Sequence, residues 1–253
     1  MSTLYIVATP IGNLEDISLR ALRILGEVDF ILCEDTRVTK KLLNNYNINT
    51  PTISYHQHSN EGKLKQIINF LASGKNLALV SDAGTPGISD PGGKLVQAVI
   101  ENLGDSVKIE AVPGPSAVTA ALSISGLPTD KFVFMGFPPH KKGRRKFLKK
   151  VLLNDYPTVL YESKYRIIKL LEELKEVSRE LEEENKKQKQ QKTNRKICKE
   201  ENFKKIELMP VVICRELSKK YETVYRGQID NIIKKIKESK DEQKGEFVVI
   251  VGK

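Results

Sequence analysis

The stretch Ser81-Asp82-Ala83-Gly84-Thr85-Pro86-Gly87-Ile88-Ser89-Asp90-Pro91-Gly92-Gly93 constrains the fold of this chain most, because of what flanks it. The apolar run Leu77-Ala78-Leu79-Val80 precedes it and the amphipathic run Leu95-Val96-Gln97-Ala98-Val99-Ile100 follows, which reads as strand, loop and helix. Four glycines and two prolines in thirteen residues exceed what a plain strand-to-helix connection needs. Open α/β sheets bind ligands at the carboxyl ends of their strands, so this loop is expected to bind one.

Two further segments have the same character. Tyr5-Ile6-Val7-Ala8 runs into Thr9-Pro10-Ile11-Gly12-Asn13-Leu14-Glu15-Asp16-Ile17-Ser18, after which Leu19, Leu22 and Leu25 recur at helical spacing. Ala111-Val112-Pro113-Gly114-Pro115-Ser116-Ala117-Val118 lies between a strand and an Ala/Leu-rich helix ending at Gly126. Three such loops are expected to converge on one ligand. It is not an ordinary nucleotide: no Gly-x-Gly-x-x-Gly occurs, and Gly87 to Leu95 has one residue too many for a phosphate loop and Leu where a Ser or Thr must bind magnesium. Asp82 and Asp90 suit a hydroxyl or an amine better than a phosphate, which a carboxylate repels.

At these residues the chain resembles a known family. Ile6 to Ile17, Cys33-Glu34-Asp35-Thr36-Arg37, Ser81 to Gly92, Val112 to Ala117 and Ser125-Gly126-Leu127-Pro128 are similar to the ribosomal RNA small subunit methyltransferase I family of the tetrapyrrole methylase superfamily. The likeness resumes at Lys142-Gly143-Arg144-Arg145, Tyr161-Glu162-Ser163, Arg215-Glu216-Leu217-Ser218-Lys219 and Lys244-Gly245-Glu246. It omits roughly residues 178 to 207, where the family has a much shorter connection.

The resemblance implies an α/β, two-domain tetrapyrrole methylase-like fold with the cofactor, S-adenosyl-L-methionine, in the interdomain cleft. It implies 2′-O-methylation of a cytidine ribose in the decoding region of 16S ribosomal RNA, a small-ribosomal-subunit partner and a homodimer. Carried over position by position, the cofactor pocket includes Pro10, Ile11, Asp82, Ala83, Gly84, Thr85, Ser116 and Ala117, with Tyr161 and Arg215 from the second domain.

Composition agrees. A chain of 253 residues with 40% hydrophobic content buries a sizeable core, as one large or two medium domains. Apolar runs of five or six residues and no basic segment before Asn13 argue against a membrane span or a signal peptide, and so for a cytoplasmic protein. Cys33, Cys198 and Cys214 form no Cys-x-x-Cys pair, and two of them sit in strand-like surroundings that point to buried thiols.

Charge divides the chain. Residues 1–128 carry ten Lys and Arg against twelve Asp and Glu, a net of −2, so the whole-chain +10 leaves +12 for residues 129–253. Eleven of the sixteen glycines lie in the first part. An N-terminal α/β cofactor-binding domain over 1–128 and a basic, mixed α/β domain over 129–253 are expected, the second facing a polyanion. Lys141 to Lys150 has seven positive residues in ten and no acid, and Phe147, Leu148, Val151 and Leu152 predict a helix there. Lys141, Lys142, Arg144, Arg145 and Lys146 are then expected to fan out toward RNA phosphates, with Arg37 a further contact, while Phe137 or His140 in the stiff Phe137-Pro138-Pro139-His140 loop stacks on an unpaired base. A solvated helix face is the bland alternative. The run Glu172 to Lys205 has almost no apolar residue and is expected to bury nothing, at most extending a solvent-exposed helix from Ile167-Ile168-Lys169-Leu170-Leu171.

Beyond that helix near 143–153, strands are expected at Val133-Phe134-Met135, Thr158 to Tyr161, Val211 to Cys214, Glu222 to Arg226 and Phe247 to Val251, with helices near 164–178 and 229–238. No metal site is expected: His56-Gln57-His58 has only Glu61 near it in sequence, and no Gly-x-Ser-x-Gly marks a hydrolase. Methyl transfer to a ribose oxygen needs alignment, exclusion of water and a group that takes or stabilises the hydroxyl's charge. Candidates are Glu34, Asp35, Glu162, Arg215, Glu216 and Lys244, each open to a plain ion-pairing role. A small-molecule tetrapyrrole methylase, which should not need the basic segment, and a non-catalytic ribosome-assembly factor, which should not bind S-adenosylmethionine, are the alternatives.

Overall fold

The computed structural model of the chain describes residues 1–56, 59–90, 92–193, 210–239 and 241–252, with the backbone alone for 188–193. It divides into two compact units, Met1–Ala117 and Val118–Lys253, upstream of the composition change at Gly126-Leu127-Pro128.

The first unit is built on β1 (Ser2–Val7), α1 (Leu19–Glu27), β2 (Phe30–Cys33), α2 (Thr36–Asn45), β3 (Thr52–Ser54), α3 (Glu61–Ala72), β4 (Leu77–Leu79), α4 (Gly92–Leu103) and β5 (Val107–Val112). Its sheet has the order β3-β2-β4-β1-β5, and every pairing is parallel. Side chains alternate between the faces. Ile31, Cys33, Ala78 and Val7 face Ala21, Ile24 and Leu25 of α1 and Leu42 and Leu43 of α2. Leu32, Leu77, Leu79 and Leu4 face Ile67 and Leu71 of α3 and Leu95 and Val99 of α4. Caps set the helix starts: Ser18 Oγ accepts from Ala21 N at 3.1 Å, and an Asp35 carboxylate oxygen accepts from Arg37 N at 2.8 Å.

This winding places the site. The chain leaves β1 for α1 on one face and leaves the neighbouring strand β4 for α4 on the other. The carboxyl ends of β1 and β4 therefore form a topological switch point, where a crevice opens because the connections diverge. The two Gly/Pro-rich loops after these strands lie there.

In the second unit, after α5 (Ala117–Ser123), come β6 (Val133–Phe134), α6 (Arg144–Leu153), β7 (Thr158–Ser163), α7 (Ile167–Thr193), β8 (Val211–Arg215), β9 (Thr223–Gly227), α8 (Ile229–Glu238) and β10 (Glu246–Val251). The sheet order is β6-β7-β10-β8-β9, parallel only at β6 with β7. Leu160, Ile213, Phe247 and Val249 form one core with Leu148 and Val151 of α6, Leu170 and Leu174 of α7, and Ile232 and Ile236 of α8.

Two expectations about α7 need correction. Leu174, Val177 and Leu181 are buried against this core, so the charged run does bury surface. Its acids are also used: Glu173, Glu176, Glu180 and Glu184, spaced three or four apart, form a stripe that pairs with Arg144, Arg145 and Lys149 of α6. The rest of the predicted insertion, from residue 194, lies outside the described residues, as do Cys198 and His58. Cys33 and Cys214 are buried free thiols, and burial pushes Cys214 up to about 11. Among the described residues no helix is long and apolar enough to cross a membrane.

Candidate functional site

The three Gly/Pro-rich loops of the first unit interlock. Thr9 N donates to Gly84 O at 2.9 Å and Gly84 N to Thr9 O at 3.0 Å, which ties the β1 loop to the β4 loop backbone to backbone. Thr9 Oγ1 donates to Ser81 O at 3.0 Å, and Ser81 Oγ donates to Gly84 O at 3.2 Å. The β5 loop joins through Thr85 Oγ1, which donates to Pro115 O at 3.2 Å. Two glycines are required by this closeness. Gly84 has φ +81°, and a Cβ on Gly114 would lie 2.9 Å from the Ala8 Cβ. Pro10, Ile11, Asp82, Ala83, Gly84 and Thr85 are thereby brought together, and Pro115 leads directly into Ser116 and Ala117 at the start of α5.

Beside this knot a cleft of about 200 Å³ is lined by Thr9, Pro10, Ser81 and Asp82 from the loops and by Val38, Thr39 and Leu42 of α2. Its wall is mixed: α2 supplies the apolar Val38 and Leu42 but also the Thr39 hydroxyl and the Lys41 ammonium, and the loops supply hydroxyls and a carboxylate.

Acidic groups gather at this sheet end. Glu34, just past β2, has its pKa raised, first by burial and then by the nearby Asp90 and Asp82 carboxylates. Asp82 Oδ1 accepts from Asp35 N at 3.2 Å. Asp90 is structural at Oδ1, which accepts from Gly87 N at 2.6 Å and Gly92 N at 2.7 Å and closes the turn before α4. That use was not foreseen, and it departs from the reading of Asp90 as a ligand-facing carboxylate. Asp35 also departs from its expected role as a base. Hydrogen bonds from the Arg37 side chain and backbone hold its carboxyl down at about 2, so it is a helix cap and an ion-pair partner. Arg37, expected at RNA, is exposed and held by that same carboxylate at 2.7 Å.

The candidates in the second unit are mostly structural. Arg215 is buried, and its guanidinium donates to Lys244 O at 2.8 Å, Tyr221 O at 3.0 Å and Asp241 O at 2.5 Å. A guanidinium spent on three carbonyls ties the end of β8 to the turn before β10 and has little left for a cofactor or a reacting oxygen. Glu216 Oε1 accepts from Glu246 N at 2.8 Å and from Lys219 Nζ at 3.0 Å, which fixes the same loop. Lys244 is paired with Asp241 at 2.8 Å. Glu162 is fully buried and bonded to Arg166 at 2.7 Å, with Arg144 at 3.7 Å. Tyr161 is half-buried, and burial pushes its hydroxyl up despite a hydrogen bond with the Val118 backbone.

The basic segment folds as expected except at one residue. Gly143 takes φ +81° and α6 starts at Arg144. Arg144 turns inward, 5% exposed, with Nε on Glu173 Oε2 at 2.5 Å. An arginine so committed does not reach phosphates, because α7 carries the carboxylate that neutralises it. Arg145 is exposed and pairs with Glu180 and, at 3.8 Å, Glu176. Lys141, Lys142 and Lys146 are exposed and form no ion pair with the described residues. Arg166 was missed altogether, since nothing in the spacing of a lone arginine after Tyr165 reveals its buried partner. Among the described residues no cluster of His, Cys, Asp and Glu is arranged to hold a metal.

Comparison with known proteins agrees with this geometry. Residues 3–233 match the family described as Tetrapyrrole (Corrin/Porphyrin) Methylases. The chain is 38% identical to Ribosomal RNA small subunit methyltransferase I of Thermotoga maritima, covering 100% of this chain and 99% of that one. It is 42% identical to the protein of that name in Mycoplasmopsis pulmonis, over 99% and 97% of the two chains. Among solved structures, diphthine synthase superposes with TM-score 0.68 at 16% identity, covering 100% of this chain and 90% of that chain. Uroporphyrin-III-C-methyltransferase from Thermus thermophilus gives TM-score 0.61 at 17% identity, over 100% and 94%. The overall fold is thus a known one, and the chain belongs to the tetrapyrrole methylase family, among the ribosomal RNA small subunit methyltransferase I proteins.

Proposed function

We propose that this protein uses S-adenosyl-L-methionine to methylate the ribose 2′-oxygen of a cytidine in the 16S RNA of the small ribosomal subunit. The carrying observation is the knot of three loops at the switch point of the first unit, tied through Thr9, Gly84 and Pro115. The residues present fit the cofactor. Backbones packed so closely that a Cβ on Gly114 has no room bring carbonyls and amides to one place, beside a cleft with a partly apolar wall. Pro10, Ile11 and Asp82 to Thr85 would hold it, with Ser116 and Ala117.

When bound, the cofactor supplies a methyl group on a positively charged sulfur, open to attack by an oxygen. The chain's own residues do the rest. Asp82 brings a carboxylate to the cleft, which suits a cation or a ligand hydroxyl, Lys41 brings an ammonium, which suits a carboxylate, and Val38 and Leu42 supply apolar surface. Glu34 is the carboxyl here whose surroundings favour its protonated form, so it is the acid in this unit best disposed to accept a proton. The basic second half, +12 over residues 129–253, supplies attraction for RNA.

The test is transfer of label from methyl-labelled cofactor to isolated small ribosomal subunits, with uroporphyrinogen III as the competing acceptor. Label in 16S RNA and none in the tetrapyrrole is expected. Label in the tetrapyrrole alone, or in neither, would overturn the reading.

A further inference from the structure

We propose that the loop Phe137–His140 and the turn holding Tyr165 form a two-ring platform on which unpaired bases of single-stranded RNA stack, with Arg166 and Arg144 as its positioning residues. This rests on the RNA-methylating reading above and adds to it where the substrate strand is held.

The loop and the turn follow neighbouring parallel strands at one edge of the second sheet, β6 and β7, whose pairing continues past β6 with Tyr161 N donating to Gly136 O at 3.0 Å. Each presents an aromatic ring to solvent: Phe137 is 52% exposed and Tyr165 84%. Phe137 is backed by Tyr161, with ring centroids 5.4 Å apart, and Tyr161 by Phe134 at 5.0 Å. The loop ring is thus supported from behind with part of its surface left open. Lys164 Nζ stands 5.0 Å from the Tyr165 ring centre.

The loop is held by an unusual anchor. Pro138 and Pro139 have no N–H and a fixed φ, so their carbonyls are the loop's remaining handles. Arg166 Nη1 donates to Pro138 O at 3.1 Å and Arg144 Nη1 to Pro139 O at 3.0 Å. Both cations are compensated by Glu162, which is fully buried on β7, and Arg144 also by Glu173. Among the described residues, Arg144 Nη2 and Glu162 Oε2 are buried without a hydrogen-bond partner. Buried ion pairs can often be replaced by apolar side chains of similar volume without loss of stability, so they are weak evidence of a purely stabilising role. What the charges provide that apolar groups do not is donors for two proline carbonyls, and hence a fixed ring.

Charge complementarity selects the occupant. Lys141, Lys142, Lys146 and Lys164 surround the loop and turn in sequence, are exposed, and form no ion pair with the described residues. Flat rings interleaved with unpaired cations fit a single strand, since every base has a π-face and every nucleotide a phosphate.

The probe is a single-stranded oligoribonucleotide carrying 2-aminopurine, titrated with the full chain, which has no tryptophan. Quenching on binding reports stacking, and titration at several salt concentrations gives the salt slope. Phe137→Leu and Tyr165→Leu are each expected to weaken binding about fivefold or more and to lose quenching with the slope unchanged. Tyr165→Phe, which keeps the ring, is expected to bind as wild type. Arg166→Lys keeps a charge beside Glu162 but loses the fork, so the folded variant is expected to bind with reduced quenching and the wild-type slope. Wild-type affinity and quenching in the folded leucine variants would overturn the platform. So would a wild type that methylates subunits yet leaves 2-aminopurine unquenched. A wild type that neither binds the probe nor transfers methyl to subunits would overturn the RNA-methylating reading itself.

Discussion

Replacing Gly84 by alanine perturbs the loop knot at its centre while adding one carbon. The added Cβ would meet Ile11 Cγ2 at 3.5 Å and Pro115 O at 3.7 Å, ordinary contacts, so space alone permits it. The cost lies in the backbone: at φ +81° a side chain costs roughly 1–2 kcal/mol. The loop can relieve this by shifting φ, and any such shift pulls on both hydrogen bonds to Thr9 and displaces the packing against Ile11 and Pro115. Gly74 is the control, with φ +90° and nothing within 4 Å of its Cβ, at the end of α3 remote from the strand carboxyl ends. Both variants are expected to lose about 1–2 kcal/mol in denaturant unfolding. Only Gly84→Ala is expected to bind S-adenosylhomocysteine about tenfold more weakly by calorimetry, equivalent to about 1.4 kcal/mol. Full affinity for S-adenosylhomocysteine in a folded Gly84→Ala protein, or an equal loss of affinity in Gly74→Ala, would refute the reasoning.

Other changes separate structural from functional roles. Leu181→Ala removes buried apolar surface on α7 and is expected to cost about 2–3 kcal/mol in unfolding; a neutral result would return this part of the helix to inert surface. Glu34 has its pKa raised above 4.5, so its contribution is present below that pH and is lost as pH rises through the folded value; Glu34→Gln is expected to be more stable than wild type at pH 7 and equal to it below pH 4.5, and equal stability at both would contradict the burial of this charge. Replacing Lys141, Lys142 and Lys146 together by alanine is expected to lower the RNA salt slope by roughly 0.7 for each single-strand phosphate that is no longer neutralised, with cofactor affinity unchanged; an unaltered slope would make these lysines ordinary solvated surface.

The site in the first unit was legible because its signals are local. Gly and Pro punctuate the chain where period-two and period-3.6 patterns meet, so the loops after β1, β4 and β5 could be marked without knowing how the strands are ordered. The fate of individual charges was not legible. Arg144 sits in a run of cations that reads as solvent-facing, yet its carboxylate partner Glu173 lies 29 positions away on another helix. The stripe Glu173, Glu176, Glu180 and Glu184 is visible in the sequence at helical spacing, but what it faces depends on α6 and α7 packing side by side. Arg215 illustrates the same limit, since its partners are backbone carbonyls, which carry no sequence signal. In each case a motif marked the residue and only tertiary structure showed whether it was spent on the fold.

Digestion of 16S RNA after incubation of small subunits with the protein and labelled cofactor, followed by mass spectrometry of the nucleosides, tests the central claim most directly. The label is expected in 2′-O-methylcytidine, at a position where the neighbouring phosphodiester becomes resistant to alkali because the attacking hydroxyl is blocked. Label on a base, or at a ribose other than cytidine's, would contradict it.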